Sequence, residues 1–387
     1  MSEKKIKALW ISSWFPNRKH RLLGNFVAKQ AQAVANQCDI AVVFIADDAI
    51  VDYEIEISDE DFLKIWVYYP ETSNRLVKFF RFTKAWKIGL QELRNCQFKP
   101  DIVHLNILNP TGLVALYLHF FKQIPFVITE HWSGYNRRMP QIIEWHHRWL
   151  IRLCSRFSSK IIGMSPFFVE SMRKNGLKGS FEVIPNIING DVFCPSKSKK
   201  EKDVFQILHV SHLWDEHKNI SGILRGIQLL SEKRRDFHLT IVGPIELHEP
   251  YIILSKTLNI NHLVTFKSSL SYQETAHEMQ QADLFVMLSN REGLPHVLQE
   301  ALAVGIPVVV SETGGIKDWV TDEQGQVVEI GDITGFSNAI DDVLNHIDTF
   351  SVEKIRAKVA QECSNKSVSE AIIRVYENVL SVIKNNS

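Results

Sequence analysis

Between Ser289 and Val310 the chain reads Ser-Asn-Arg-Glu-Gly-Leu-Pro-His-Val-Leu-Gln-Glu-Ala-Leu-Ala-Val-Gly-Ile-Pro-Val-Val-Val, and few folds accept that order. Gly293-Leu294-Pro295 is a tight loop. Proline is favoured at the first helical position, where its missing N–H was unpaired anyway. A helix is therefore predicted over Pro295 to Val304, stopped by Gly305 at C′. Val308–Val310 then reads as a buried strand, followed by the pair Gly314-Gly315. Loop, helix, glycine stop and apolar strand in that order belong to an α/β chain with a parallel sheet.

The alternation extends over the whole sequence. Ile6–Ser12, Ile40–Ala46, Ile102–Leu105, Phe126–Ile128, Ile161–Met164 and Phe181–Pro185 read as strands in the first half, with a helix over Asn25–Asn36. Phe205–Val210, Leu239–Val242, Leu263–Phe266, Leu284–Leu288, Val308–Val310 and Val327-Val328 repeat the pattern in the second. The polar stretch Ser196–Asp203 lacks periodicity and is the predicted linker. With 387 residues there is room for about two domains. The expected division is 1–195, 204–365 and a closing amphipathic helix within 366–387, with Val368, Ile372, Val375, Tyr376, Val379 and Ile383 on one face.

The chemistry concentrates in the same run. Glu292 sits on the loop and Glu300 lies eight positions on, five residues into the predicted helix, roughly 7–8 Å along its axis. N–H groups at a helix start favour an anion, and carboxylates accept hydrogen bonds from paired hydroxyls. Something carrying both hydroxyls and phosphates is the expected ligand, and a sugar nucleotide fits best. The segment resembles the signature of retaining glycosyltransferases of family 4, S-x-x-E-G-[FL]-P-x-V-x-x-E-A-x-A-x-G-x-P-V-V followed by G-G. It stands here as Ser289, Glu292, Gly293, Leu294, Pro295, Val297, Glu300, Ala301, Ala303, Gly305, Pro307 and Gly314-Gly315. Gly24-Asn25-Phe26, Val183–Asn186 and Leu239–Gly243 are shorter matches.

The resemblance implies the GT-B fold: two Rossmann-like domains facing across a cleft, with the terminal helix crossing back to the first. It implies transfer of a sugar from a nucleotide diphosphate sugar, with no cofactor and no metal. Glu292 would hold sugar hydroxyls, Glu300 the ribose, and Gly293, Leu294 and Pro295 would line the donor site. Gly24, between a basic loop and a helix, would lie near the donor phosphates. His131, after the strand Phe126–Ile128, would face the donor sugar near the reacting carbon. Neighbouring Glu130 is expected to be structural or exposed. Lys218-Asn219 matches the phosphate clamp of the family, whose arginine is replaced here by His212. Histidine is only partly charged near neutrality and lacks the bidentate fork, so Arg291 is a possible stand-in. Alternatives within this frame are a sugar-nucleotide epimerase, a phosphorylase or a catalytically idle sensor.

Composition narrows the rest. The five cysteines are scattered and form no C-x-x-C pair, so neither a disulfide framework nor a zinc site is expected, and a reducing cytosol fits. The first residues lack the apolar core of a signal peptide. Leu113–Ile128 is too polar and too interrupted to span a bilayer. Asp47-Asp48 is expected to be a solvated loop rather than a metal site. Residues 1–195 carry 25 basic and 18 acidic side chains, and the remainder 19 and 26. The basic excess gathers in Arg75–Arg94, where Phe79, Phe80, Phe82 and Trp86 interleave with six cations and a single acid, Glu92. Such a helix either buries its aromatics or lies on an anionic membrane. Nucleic acid is not an expected partner, since net charge is zero. The expected setting is the cytoplasm, at the inner face of the plasma membrane, with a saccharide or lipid-linked acceptor.

Overall fold

The computed structural model describes residues 5–21, 23–132, 135, 145–196 and 203–385. The chain divides into two compact units, one made of 1–187 and 365–387, the other of 188–364.

The first unit contains strands β1 (Lys7–Ser12), β2 (Asp39–Asp48), β3 (Glu54–Ser58), β4 (Leu63–Pro70), β5 (Ile102–Asn106), β6 (Phe126–Glu130), β7 (Lys160–Gly163) and β8 (Phe181–Val183). Its helices are α1 (Asn25–Ala35), α2 (Arg75–Asn95), α3 (Gly112–Lys122), α4 (Trp145–Phe157) and α5 (Pro166–Lys174). The sheet order is β3-β4-β2-β1-β5-β6-β7-β8, parallel except for β3. Side chains alternate across it, as strand geometry requires. Leu9, Ile11, Val43, Val67 and Leu105 face the core shared with α2 to α5. Ala8, Trp10, Val42 and Phe44 face α1.

The second unit contains β9 (Phe205–Val210), β10 (Phe237–Val242), β11 (Val264–Lys267), β12 (Leu284–Met287), β13 (Val308–Ser311) and β14 (Gly325–Val328). Between them lie α6 (Asp215–Lys218), α7 (Ile220–Ser231), α8 (Glu249–Thr257), α9 (Tyr272–Gln281) and α10 (His296–Val304), and after β14 follow α11 (Ile333–Asn345) and α12 (Val352–Glu362). The sheet order β11-β10-β9-β12-β13-β14 is fully parallel. This is the doubly wound order with its reversal between β9 and β12. Local chemistry sets the helix ends: Ser271 and Glu274 form a capping box on α9, and Gly305 ends α10 in the left-handed conformation.

Several expectations need correction. β3 and β4 were not anticipated: β3 is an exposed Glu-Ile-Glu-Ile-Ser edge whose isoleucines serve no core, and β4 mixes Lys64 into an apolar run. α10 begins at His296, with Pro295 as extended N-cap residue rather than first helical residue. Asp47 and Asp48 end β2 instead of forming a loop, and pair with Lys78 at 2.6 Å and Arg18 at 2.7 Å. The first division falls after Ile187, not 195. Ile188 donates its N–H to the Cys363 carbonyl at 2.9 Å, and Phe193 packs edge-on against Tyr272 in the second unit's core. The predicted linker lies outside the described residues except for its ends, Ser196 and Asp203.

The final helix, α13 (Asn365–Asn385), belongs to the first unit. Val368, Ile372, Val375, Tyr376 and Val379 join α1 in the core over Ala8 and Trp10. Ile383 is exposed, so the buried stripe stops a turn earlier than predicted.

Candidate active site

Ligands of open α/β sheets bind outside the carboxyl ends of the strands, at the reversal of strand order. In the second unit that place is bracketed by the segment after β9, Ser211–Asn219, and the segment after β12, Leu288–Pro295. Backbone bonds tie the two together. The Asn290 N–H donates to the His217 carbonyl at 2.8 Å, and Asn290 Nδ2 donates to the Glu216 carbonyl at 3.1 Å. Across this seam Lys218 Nζ meets Glu292 Oε1 at 2.5 Å. The lysine side chain is 17% exposed and the carboxylate 10%. A pair this enclosed feels little screening from solvent.

Each partner is held by its own backbone. Lys218 closes the single turn α6, after which Asn219 adopts a left-handed conformation (φ 52°) and accepts the Gly222 N–H at 3.1 Å. Asparagine tolerates that region better than most residues. Ser211–Leu213 is anchored from below. His209 is fully buried; its Nδ1–H donates to the Val286 carbonyl at 2.8 Å, and its Nε2 accepts from Ser211 Oγ at 2.8 Å. Ser211 Oγ in turn accepts the Leu213 N–H at 3.1 Å. A carbonyl only accepts, so this chain fixes the neutral tautomer of His209. Burial pushes the imidazole down to about 4.

The glycine pair supplies the opposite wall. The Gly315 N–H donates to the Gly293 carbonyl at 2.8 Å. Gly314 has φ 57°, and a Cβ there would stand 2.1 Å from the Gly293 oxygen and 2.5 Å from the Glu292 oxygen. Only glycine lets the loops approach so closely. Leu294 and Pro295 are buried beneath this contact. Glu300, in the middle of α10, is half-buried near Tyr272, whose hydroxyl is pushed up to about 12 by burial and then by the Glu300 charge.

The remaining expected residues are distributed differently. His212 is exposed. Arg291 pairs with Glu216 at 3.0 Å instead of standing beside Lys218. Two hydroxyls flanking the seam carry a signal that the motif alone does not convey. Ser289 Oγ and Thr313 Oγ1 are buried without a hydrogen-bond partner among the described residues. In the sequence Ser289 opens the signature run and Thr313 stands immediately before Gly314-Gly315.

In the first unit, Gly24 starts α1 in the left-handed conformation (φ 65°), with the Trp14 carbonyl 2.3 Å from where a Cβ would stand. The loop's own packing demands this glycine. Two residues on, the Phe26 ring lies 4.3 Å from that of His131. His131 follows β6, is buried, and approaches Met164 Sδ through Nδ1 at 3.2 Å. Gly24-Asn25-Phe26 and His131 therefore gather at the carboxyl ends of β1 and β6. Glu130 is fully buried and structural. Its carboxylate accepts the N–H groups of Leu108, His131 and Trp132 at 3.2, 2.9 and 2.9 Å, and the Tyr135 hydroxyl at 3.2 Å. Burial raises its pKa, with those bonds pulling the other way.

Two protein-family models together match most of the chain. Residues 23–192 match the model of "Glycosyltransferase Family 4", and residues 194–362 that of "Glycosyl transferases group 1". The chain is 24% identical over 289 residues to the UDP-Gal:alpha-D-GlcNAc-diphosphoundecaprenol alpha-1,3-galactosyltransferase of Escherichia coli, covering 70% of this chain and 71% of that one. It is 24% identical over 341 residues to a teichuronic acid biosynthesis glycosyltransferase, TuaC, of Bacillus subtilis, covering 80% and 82%. It spans half the length of an uncharacterized glycosyltransferase of Haemophilus influenzae, at 27% identity over 181 residues and 46% of this chain. Among solved structures, Anabaena Alr3699/HepE in complex with UDP superposes with a TM-score of 0.75 at 16% identity, over 96% of this chain and all of that one. With both halves matched by family models and the strand order of two Rossmann-like units in place, the chain belongs to glycosyltransferase family 4 and has the GT-B fold.

Proposed function

We propose that this glycosyltransferase moves a sugar from a nucleotide diphosphate sugar to a saccharide or lipid-linked acceptor in cell-surface polysaccharide or glycolipid assembly. The Lys218–Glu292 contact over the strand-order reversal carries the reading. It puts a cation for a departing diphosphate beside a carboxylate for sugar hydroxyls. Stabilising charge that develops on the leaving group is commonly the largest lever a site has. Ser289 and Thr313 offer two further hydroxyls beside it. Glu300 takes the ribose, and the backbone of Gly293, Leu294 and Pro295 lines the donor. His212, being exposed, is accessible to a phosphate. Gly24 and His131 serve the phosphates and the sugar from the first unit.

The reaction is retaining and needs no metal ion or protein nucleophile. The bond from the anomeric carbon to the diphosphate breaks, the acceptor oxygen bonds to that carbon on the same face, and the leaving phosphate oxygen takes the acceptor proton. The donor is a uridine diphosphate sugar, a choice supported by the ligand of the Anabaena structure and the name of the Escherichia coli relative. The enzyme works in the cytoplasm in peripheral contact with an anionic membrane. No helix among the described residues is long and apolar enough to cross one.

The test is acceptor-dependent release of nucleoside diphosphate from UDP-glucose and UDP-galactose, in the presence of a chelator, with the product's anomeric configuration read by NMR. Glu292→Ala is expected to abolish turnover in a protein that still folds, as read by circular dichroism. If a sugar nucleotide stabilises the wild type but no acceptor promotes release, the chain is a binder and not a transferase.

A further inference from the structure

On the first unit, α2 leaves β4 and crosses back towards β5, and a groove of about 760 Å³ opens between α2 and α3, with Leu9 of β1 among its lining residues. That is within the roughly 300–1,000 Å³ of ligand pockets. Its walls are apolar: Phe82, Trp86 and Leu90 from α2, and Val114, Tyr117 and Leu118 from α3. The charged residues along it are Lys87, Arg94, Lys99 and Lys122, and no carboxylate lines it. None of these four forms an ion pair among the described residues. Trp86 is 4% exposed, and its indole N–H has no acceptor among the described residues. The mouth is flanked by bare apolar surface. Phe80 on α2 is 68% exposed and Phe121 on α3 is 73% exposed, with Leu76, Phe79, Leu113 and Phe120 around them.

An apolar channel whose charged lining residues are all cations is complementary to a hydrocarbon chain ending in a phosphate. The exposed aromatics beside it suit the interface of a bilayer. We propose that this groove takes an acyl chain of an anionic membrane lipid, with the lipid phosphate against Lys87, Arg94, Lys99 and Lys122, and so anchors the first unit to the membrane. The lipid is an anchor and not the acceptor. The groove is closed by residues 97–100 and Ile124, which precede β5 and β6. His131 and Gly24 stand at the opposite, carboxyl ends of the strands. The inference rests on the membrane contact proposed above and names its site.

The full chain is titrated with myristoyl lysophosphatidylglycerol below its micellar concentration, with the phosphocholine analogue and glycerol 3-phosphate as controls. Saturable binding of the first is expected, about ten-fold or more weaker binding of the zwitterionic lipid, and none of glycerol 3-phosphate. Thr83→Trp, which fills the groove from α2, is expected to weaken binding by at least about ten-fold at unchanged melting temperature. Lys87→Glu with Arg94→Glu gives a second, surface-only variant with the same expectation, should the first fail to fold. Equal lysolipid binding by a folded Thr83→Trp protein and the wild type overturns the groove. So does a concentration-dependent dimer that is lost in Phe80→Asp, because a second copy would then cover this face. Flotation with phosphatidylglycerol vesicles separates the two claims. Flotation without groove binding sinks only the groove, and groove binding without flotation sinks only the membrane contact. Neither outcome touches the transferase assay.

Discussion

At the scale of single residues, the site turns on two opposite charges with little solvent around them. Lys218 and Glu292 are 74 positions apart in the chain and 2.5 Å apart in space. Removing either breaks an enclosed ion pair, which costs more than losing an exposed one. Lys218→Ala is expected to lower kcat by roughly 10²-fold or more, the usual loss when a group stabilising developing charge is deleted. Glu292→Gln should lose a comparable amount, and the double variant much less than the product of the two, because they act as a unit. Steady-state kinetics on the three variants decide; independent, multiplicative losses would show that the pair is not shared machinery. Glu130 makes the contrast. It was recognisable as a neighbour of His131, but its work is to cap three backbone N–H groups. Glu130→Ala should destabilise the first unit by about 1–3 kcal/mol through buried unsatisfied donors, measured by denaturant unfolding.

At the scale of elements, the loops at the strand ends are spaced by glycine and not by side-chain packing. Gly314→Ala places a methyl against the Gly293 and Glu292 carbonyls and forces a left-handed conformation that costs about 1–2 kcal/mol. The expected result is a folded protein whose melting temperature no longer rises with a sugar nucleotide. A stabilisation equal to that of wild type would mean the wall plays no part in binding. The elements themselves were legible to different degrees. α10, β13 and the Gly305 stop follow from proline, glycine and an apolar run, all local signals. β3 and β4 went unread although both carry local strand signals, the Glu-Ile-Glu-Ile alternation of Glu54–Ser58 and the β-branched and aromatic run of Leu63–Pro70. The reach of α2 was legible as a basic aromatic helix. Which aromatics are buried was decided by the helix crossing the sheet at Ala85, Trp86, Gly89 and Leu93.

At the scale of the whole molecule, two buried histidines tie the sheets to their surroundings. His104 sits in the first unit between Tyr376 of α13 and Thr129 of β6, at 2.5 and 2.6 Å, and burial pushes it down to about 3. His209 does the same for the second unit, at about 4. Both folded values lie below the unfolded value of about 6.5. Between those limits the unfolded chain binds protons that the folded chain refuses, so stability falls as pH falls from about 6.5 towards 4. Each histidine contributes on the order of 2 kcal/mol of loss by about pH 5. Glu130, shifted upward by burial, works in the opposite direction and offsets part of it. Denaturant unfolding at neutral and at mildly acidic pH measures the difference; flat stability over that range would contradict the burial of both rings. Tyr376→Phe should cost the first unit about 1–3 kcal/mol, since it removes the partner of a fully buried imidazole nitrogen.

The sequence by itself determined the alternation of strands and helices, the family and the run that carries Glu292 and Glu300, because glycine, proline and apolar period act over a few residues. It also marked Lys218. Only the tertiary structure decided that Lys218 reaches Glu292, that Arg291 turns to Glu216, that α13 packs on α1 and that an apolar groove stays open between α2 and α3. Those outcomes depend on which strands become neighbours across long stretches of chain. Strand order is set by the burial of whole faces at once, and no local pattern contains it.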